Sequence, residues 1–179
     1  MSSTGINATA TATATAGPVV KMTQLLRAVV ATFERIPHSA IALLARFSIA
    51  MTFWTSGQTK IEGLVLDPIG GNVALGWPRL SENAVELFRS EYALPVIPPE
   101  LAAYLAATAE HVLPLLLLLG LATRLSAFAL LVMTLVIQVF VYPLAWPTHA
   151  LWAAVLLYLM ARGPGAASLD HLLARRFAR

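Results

Sequence analysis

The chain has 179 residues, 58% of them hydrophobic and only 12% charged, with a formal net charge of +3. A water-soluble domain usually carries about a quarter charged residues, so much of this surface is read as facing lipid rather than water. There is no Cys, which excludes thiol–disulfide catalysis, iron–sulfur clusters and cysteine zinc sites, and no dense basic run interleaved with aromatics, which argues against a nucleic-acid partner.

Residues 1–17, with the run Ala8-Thr9-Ala10-Thr11-Ala12-Thr13-Ala14-Thr15, are small, polar and repetitive. They bury too little apolar area to offset ordering entropy, and the segment is read as a disordered tail. No positive n-region precedes a long apolar core, so a signal peptide is not expected. Over 18–35, Met22, Leu26, Val29, Val30 and Phe33 recur at helical spacing while Lys21, Gln24 and Glu34 lie elsewhere on the wheel. That pattern predicts an amphipathic helix, placed either in the membrane interface or against the bundle.

Residues 36–162 are read as a membrane domain of four spans. Ile36 to Gly57 is the first, interrupted only by Arg46; about 20 helical residues cross about 30 Å of hydrocarbon. The loop 58–98 is polar and acidic, with Gly70-Gly71, Pro68 and Pro78. Within it Ser81 is placed to cap a short helix with Val85, Phe88 and Tyr92 on one face and Glu82, Glu86 and Arg89 on another. Pro98-Pro99 opens the second span, which runs to about Leu121. From Leu125 to Ala161 there is no Asp, Glu, Lys or Arg. Tyr142-Pro143 and Trp146-Pro147 divide that stretch into a third span, about 125–142, and a fourth, about 147–161, which is short for a full crossing. Gly163-Pro164-Gly165 stops the last span. The tail 163–179 then carries a short basic helix beginning at Ser168, with Leu169, Leu172, Leu173, Phe177, Arg175, Arg176 and Arg179.

Basic residues near span ends set the orientation. Lys21, Arg27, Arg35, Arg124, Arg162, Arg175, Arg176 and Arg179 fall on one side, and Lys60, Arg79 and Arg89 on the other. Eight against three places both termini in the cytoplasm and the loop 58–98 in the periplasm. Trp54, Trp77, Tyr142 and Trp146 gather near that outer boundary, as an aromatic belt would.

Counting from the span ends puts Arg46 and Glu110 both near mid-membrane on antiparallel neighbours. An isolated charge there costs about 2.5 kcal/mol or more, so an Arg46–Glu110 pair is expected inside the bundle, either as a site or as a strut fixing helix register. His111 follows Glu110 and shares a face with Tyr104, Thr108 and Leu115; it is a candidate proton relay, with a neutral hydrogen-bonded ring as the simpler reading. Arg46, Glu110 and His111 thus form the candidate buried polar cluster. Trp54, Gln58, Lys60, Gln138 and His149 are candidates to line an outer vestibule. The histidines at 38, 111, 149 and 171 lack HxxH or HxxxH spacing, so no metal site is predicted.

The run Arg46-Phe47-Ser48-Ile49-Ala50-Met51-Thr52-Phe53-Trp54-Thr55-Ser56-Gly57-Gln58-Thr59-Lys60-Ile61 resembles the first-helix signature of the DoxX family. There an Arg precedes an aromatic-rich stretch that ends in small-Gly-x-x-Lys. Ala109-Glu110-His111 followed by Leu119-Gly120-Leu121-Ala122-Thr123-Arg124 resembles the family's second span. The resemblance covers roughly 41–162. It implies a four-helix inner-membrane protein; some relatives are subunits of thiosulfate:quinone oxidoreductases, and others are linked to oxidative-stress or metal-stress complexes. The 40-residue outer loop, the N-terminal tail and the lack of Cys depart from a simple member, so thiol chemistry does not carry over.

The fold expected is all-α: an integral membrane four-helix bundle with amphipathic interfacial helices at both ends. The function expected is an accessory or anchoring subunit of a redox-stress or metal-stress system in the bacterial inner membrane. It would lack catalytic activity of its own, and a periplasmic or membrane protein partner would dock on the outer loop. The alternatives are a quinone-linked oxidoreductase subunit using Arg46, Glu110 and His111 for proton transfer, and a small-solute transporter. No cofactor is predicted beyond the quinone of the first alternative.

Overall fold

In the computed structural model the described residues are 18–68 and 70–177. The expected disordered tail 1–17 and Arg179 lie outside them. Two units are distinguished, Met1–Pro37 and His38–Arg179. In the first, helix α1 spans Pro18–Phe33 and opens on a proline, whose missing N–H costs nothing at a helix start. The apolar stripe read from the sequence lies along it.

In the second unit, four helical segments are long and apolar enough to cross a membrane: His38–Gln58, Pro99–Leu119, Thr123–Val141 and Pro143–Arg162. They comprise α2 (His38–Gln58), α4 (Pro99–Leu119), α5 (Thr123–Val136) and α6 (Trp146–Arg162). The third span ends as expected, its last turn widened into a π turn, Ile137–Val141. One correction has a local cause: the fourth span is not short, because a 3₁₀ turn, Pro143–Ala145, extends α6 at its start. Two prolines, Pro143 and Pro147, each fit a first turn, so the punctuation that seemed to shorten the span builds its entry instead.

The helices pack in a cycle, with α2 against α4 and α6, and α5 against α4 and α6. The contacts are made close by alanine: Ala42, Ala50, Ala103, Ala107 and Ala127 are buried, among larger residues such as Phe53, Leu117, Leu130, Leu156 and Leu159. Small residues at helix contacts are how bundles pack where lipid supplies no hydrophobic drive. Conversely, Leu44, Phe47, Leu105, Leu125, Leu135 and Leu151 are all more than half exposed. In water that would be a large apolar liability; in lipid it is the expected surface.

The loop after α2 contains strands the sequence did not announce. β1 (Ile61–Glu62) pairs antiparallel with β4 (Arg79–Leu80), and β2 (Val65–Asp67) with β3 (Asn72–Ala74). These strands are two or three residues long, too short for an alternation pattern to show. Helix α3 (Glu82–Leu87) begins after Ser81 as expected, but the Ser81 side chain makes no capping hydrogen bond, and a π turn, Phe88–Tyr92, continues the helix. Phe88 packs against Ala102 and Ala103 of α4, and Arg89 bridges Glu86 at 3.0 Å and Glu100 at 2.5 Å. Helix α7 (Leu169–Phe177) follows the Gly163–Ser168 segment.

Candidate functional site

Helix α2 ends with Ser56, Gly57 and Gln58, and the chain then turns so that Lys60 folds back along the helix. Gly57 has no side chain where α4 crosses: a Cβ there would lie 2.8 Å from His111 Cε1 and 3.0 Å from Glu110 Cβ. The glycine therefore brings Glu110 against the end of α2. Lys60 Nζ donates to the Ser56 carbonyl at 3.3 Å and to Ser56 Oγ at 3.1 Å, and pairs with Glu110 Oε2 at 2.7 Å. Ser56 Oγ donates in turn to Glu110 Oε1 at 3.3 Å. A cation over the carbonyls that end a helix also meets the negative end of its dipole. The small-Gly-x-x-Lys ending thus has a physical reading: a bridging hydroxyl, a gap for the neighbouring helix, and a returning cation.

The expected Arg46–Glu110 pair is not formed. The two helices do not run end to end: with Gly57 beside Glu110, Arg46 lies eleven residues back, about 16 Å along α2. Its guanidinium instead donates to the carbonyls of Leu117 (3.3 Å), Leu118 (3.4 Å) and Ala167 (2.5 Å). Counting from span ends placed both charges at mid-depth because it took no account of this stagger. The buried cluster is therefore split, and Lys60, read from the sequence as a loop residue at an open vestibule, is the partner of Glu110.

His111 is separated from that pair as well. Its Nδ1 lies 2.6 Å from the Ala107 carbonyl and its Nε2 lies 2.9 Å from Gln58 Nε2, while Gln58 Oε1 accepts from the Leu66 backbone N–H at 2.7 Å. A carbonyl can only accept, so Nδ1 carries the proton and Nε2 accepts from the amide. Both ring nitrogens are used, and through Gln58 His111 ties β2 to α2 and α4. Trp54 belongs to the same tie: its Nε1 donates to the Leu66 carbonyl at 2.8 Å, and its ring meets His111 edge-on at 5.0 Å. With Tyr104, Thr108 and Leu115, His111 and Trp54 line a groove of about 330 Å³.

The stagger leaves room at the Lys60 end. From Pro99 to Ala109, eleven residues of α4 rise about 16 Å past the end of α2. Beside them lies a cavity of about 510 Å³, within the usual range for small-molecule sites. Phe53, Ser56, Lys60 and Glu110 form one wall, Leu105 and Ala109 of α4 and Val132 and Val136 of α5 the sides, and Phe88 and Tyr92 the roof. His149 and Trp152 of α6 face the same space, with ring centroids 5.1 Å apart. Gln138 lies behind His149, its Oε1 2.7 Å from His149 Nδ1 and its Nε2 donating to the Pro143 carbonyl at 2.7 Å. The expected vestibule is thus divided: Lys60 and His149 face the cavity, Gln138 supports His149, and Trp54 and Gln58 brace the loop. At the roof, Tyr142 donates to Glu91 Oε1 at 2.6 Å, and its ring meets Tyr92 edge-on at 5.8 Å. That bond to a carboxylate holds the Tyr142 phenol well above the usual tyrosine range.

Ser56, Phe53, Tyr92, Glu91, Tyr142 and Trp152 are site residues the sequence reading missed. Only Ser56 had a signal, its place in the Ser-Gly-x-x-Lys ending; the others are brought in by the loop and by packing between helices.

A mainly apolar cavity inside a bundle of four apolar helices, with a buried ion pair on one wall, defines an integral membrane protein of the small-bundle class. No curated protein and no solved structure matches the chain. The DoxX family model matches residues 41–143, and the chain belongs to the DoxX family.

Proposed function

We propose that the protein binds a lipid-soluble molecule of the quinone class in this cavity, as the membrane subunit of a redox system whose electron-transferring component is a partner. The observation that carries the proposal is the Lys60–Glu110 pair, each residue no more than 6% exposed, on the wall of an apolar space of about 510 Å³. A buried pair costs desolvation that its own attraction barely repays. A pair kept beside an apolar cavity suits a ligand whose polar head meets it and whose tail lies among Leu105, Val132 and Val136. The chain has no Cys and hence no thiol couple of its own, which supports a subunit role over a complete oxidoreductase. The thiosulfate:quinone type implied by the family resemblance is one such system, and a redox-stress or metal-stress complex is another.

In this reading the protein is a multi-pass protein of the bacterial inner membrane with both termini cytoplasmic, on the eight-to-three count of basic residues. The cavity then opens in the outer half of the membrane. The loop above it would receive the partner: Val73, Leu75 and Trp77 are 68%, 81% and 84% exposed. The basic, amphipathic α1 and α7 would lie along the membrane surface.

The test is direct. A photoreactive benzoquinone with a short alkyl tail should crosslink to α2 and α4 in the detergent-purified full chain. An excess of the unreactive quinone should displace it. Lys60→Met combined with Glu110→Gln should abolish displaceable labelling while the protein remains folded. Labelling that competitor does not reduce, or that the double variant retains, sinks the proposal.

A further inference from the structure

Resting on the reading of the cavity as a quinone site, we propose that His149 sets the redox form the site prefers. Its Nε2 offers a lone pair to a ligand hydroxyl, so the reduced, hydroxyl-bearing form binds more tightly than the oxidised, carbonyl-bearing one. A chain of three groups, Pro143, Gln138 and His149, fixes the ring. The Pro143 carbonyl can only accept, so the Gln138 amide must turn its NH₂ toward it, and does so at 2.7 Å. That leaves Gln138 Oε1 facing His149 Nδ1, also at 2.7 Å. An amide oxygen has no proton to give, so Nδ1 carries the hydrogen. In the neutral ring Nε2 is then the acceptor.

His149 is 5% exposed, it lines the cavity, and no protein group among the described residues bonds to its Nε2. The ring is held further by Trp152, which in turn lies 5.5 Å from Phe53 across the core. The cavity therefore has two different poles: just past the end of α2, the Lys60 ammonium paired with Glu110 of α4, where a donor and an acceptor stand together and suit an oxygen of either kind; on α6, a fixed acceptor. A hydroquinone satisfies both, through an oxygen at Lys60 and an O–H at His149. A quinone satisfies the first and sets a carbonyl lone pair against the imidazole lone pair at the second. A buried acceptor left without a donor is the kind of mismatch that discriminates strongly between otherwise similar ligands.

The experiment is equilibrium binding by calorimetry, using the full chain in detergent and a short-tailed 1,4-benzoquinone and its hydroquinone under argon. The wild type should bind the hydroquinone about tenfold more tightly, the size of one well-made hydrogen bond to a buried group. His149→Phe should bring the ratio near one, by weakening the hydroquinone and relieving the quinone of the lone-pair mismatch. Gln138→Leu keeps the imidazole but frees its tautomer, and should also shrink the ratio. It keeps the test decisive if His149→Phe does not fold. Equal binding of both forms by the wild type, or a ratio unchanged in Gln138→Leu, overturns the role of His149 and leaves the cavity reading standing. Failure of both forms to bind the wild type removes the cavity reading and this one with it.

Discussion

Arg46 and Lys60 leave the same stretch of chain fourteen residues apart, one inside α2 and the other just past its end, and they are 1% and 6% exposed. Their partners differ in kind. Arg46 meets three main-chain carbonyls, from α4 and from the segment after α6. The planar fork of an arginine suits such a set, and carbonyls neither titrate nor move. Around it the end is closed: Asp170 caps the start of α5 by accepting from the N–H groups of Ala122 (2.8 Å) and Thr123 (2.9 Å), and Gly120 makes room for the guanidinium. Lys60 meets a carboxylate, on a wall with space in front of it. The first arrangement locks chain to chain; the second leaves a cation and an anion with a face toward a ligand. Burial of a charge in a membrane bundle is thus no guide to function until its partners are named.

The largest test of that contrast is at the locked end. Arg46→Met removes a donor from three carbonyls, of which Leu117 keeps the Gly120 N–H at 3.0 Å, and should lower unfolding stability by about 3–5 kcal/mol in detergent. Arg46→Lys should restore only part, because an ammonium cannot span the same set of acceptors. A loss below about 1 kcal/mol for Arg46→Met would mean that the closed end is held by packing, and that the two ends differ less than their bonding suggests.

A smaller and sharper effect comes from a double-mutant cycle. Lys60→Met and Glu110→Gln should each destabilise, and together should lose less than the sum, with a coupling on the order of 1–3 kcal/mol. Arg46→Met with Glu110→Gln should add to within about 0.5 kcal/mol, as for groups that share no partner. The opposite outcome would restore the Arg46–Glu110 pair that the structure replaces.

What the sequence made legible, and what it hid, divides along the same line. The four spans, the α1 stripe and the helix after Ser81 were readable because each is set by a run of neighbouring residues. The candidate polar residues were readable too, since Arg46, Lys60, Glu110, His111, Gln138 and His149 are scarce in an apolar chain. Their pairing was not readable, because it depends on how far α4 slides past α2. That offset is fixed by Gly57 beside Glu110 and by Gly120 beside Arg46 and Ser168, contacts between residues more than fifty positions apart in the first case. The acceptor from Ala167 and the cap from Asp170 were hidden for the same reason: they come from a tail that reads simply as basic and amphipathic.

The two glycines give the next test. A Cβ on Gly120 would collide with Arg46 Nη1 and lie 2.5 Å from Ser168 Cβ, at a left-handed φ of +66°. A Cβ on Gly57 meets the edge of the His111 imidazole and one methylene of Glu110, without a left-handed φ to add strain. Gly120→Ala should therefore cost more, about 2–3 kcal/mol against about 1–2 for Gly57→Ala. Ligand binding should follow the reverse order, since only Gly57→Ala displaces Glu110 from Lys60. Equal effects on binding would show that the two ends are coupled through α2 rather than independent.

The smallest expected effect is at the roof of the open end, where Tyr142 and Glu91 join the turn after α3 to the junction of α5 and α6. Both groups are exposed, so Tyr142→Phe should cost only about 0.5 kcal/mol. Its signature is spectroscopic. The hydrogen bond to the carboxylate favours the protonated phenol and raises its pKa in the folded protein above the ordinary 10.0. A raised folded value means that the contribution to stability is complete below the unfolded pKa and is lost as pH rises through the folded one. Ultraviolet difference titration should therefore show one tyrosine ionising later than the rest in the wild type, and no late component in Tyr142→Phe. In Glu91→Gln the carboxylate is gone while the phenol remains, and the late ionisation should move back toward 10.0. If it stays late, burial rather than the bond holds the proton, and the roof is packed shut as firmly as the Arg46 end. If it moves, the open end is closed by a single exposed hydrogen bond, which is the difference in kind that the two cations indicate.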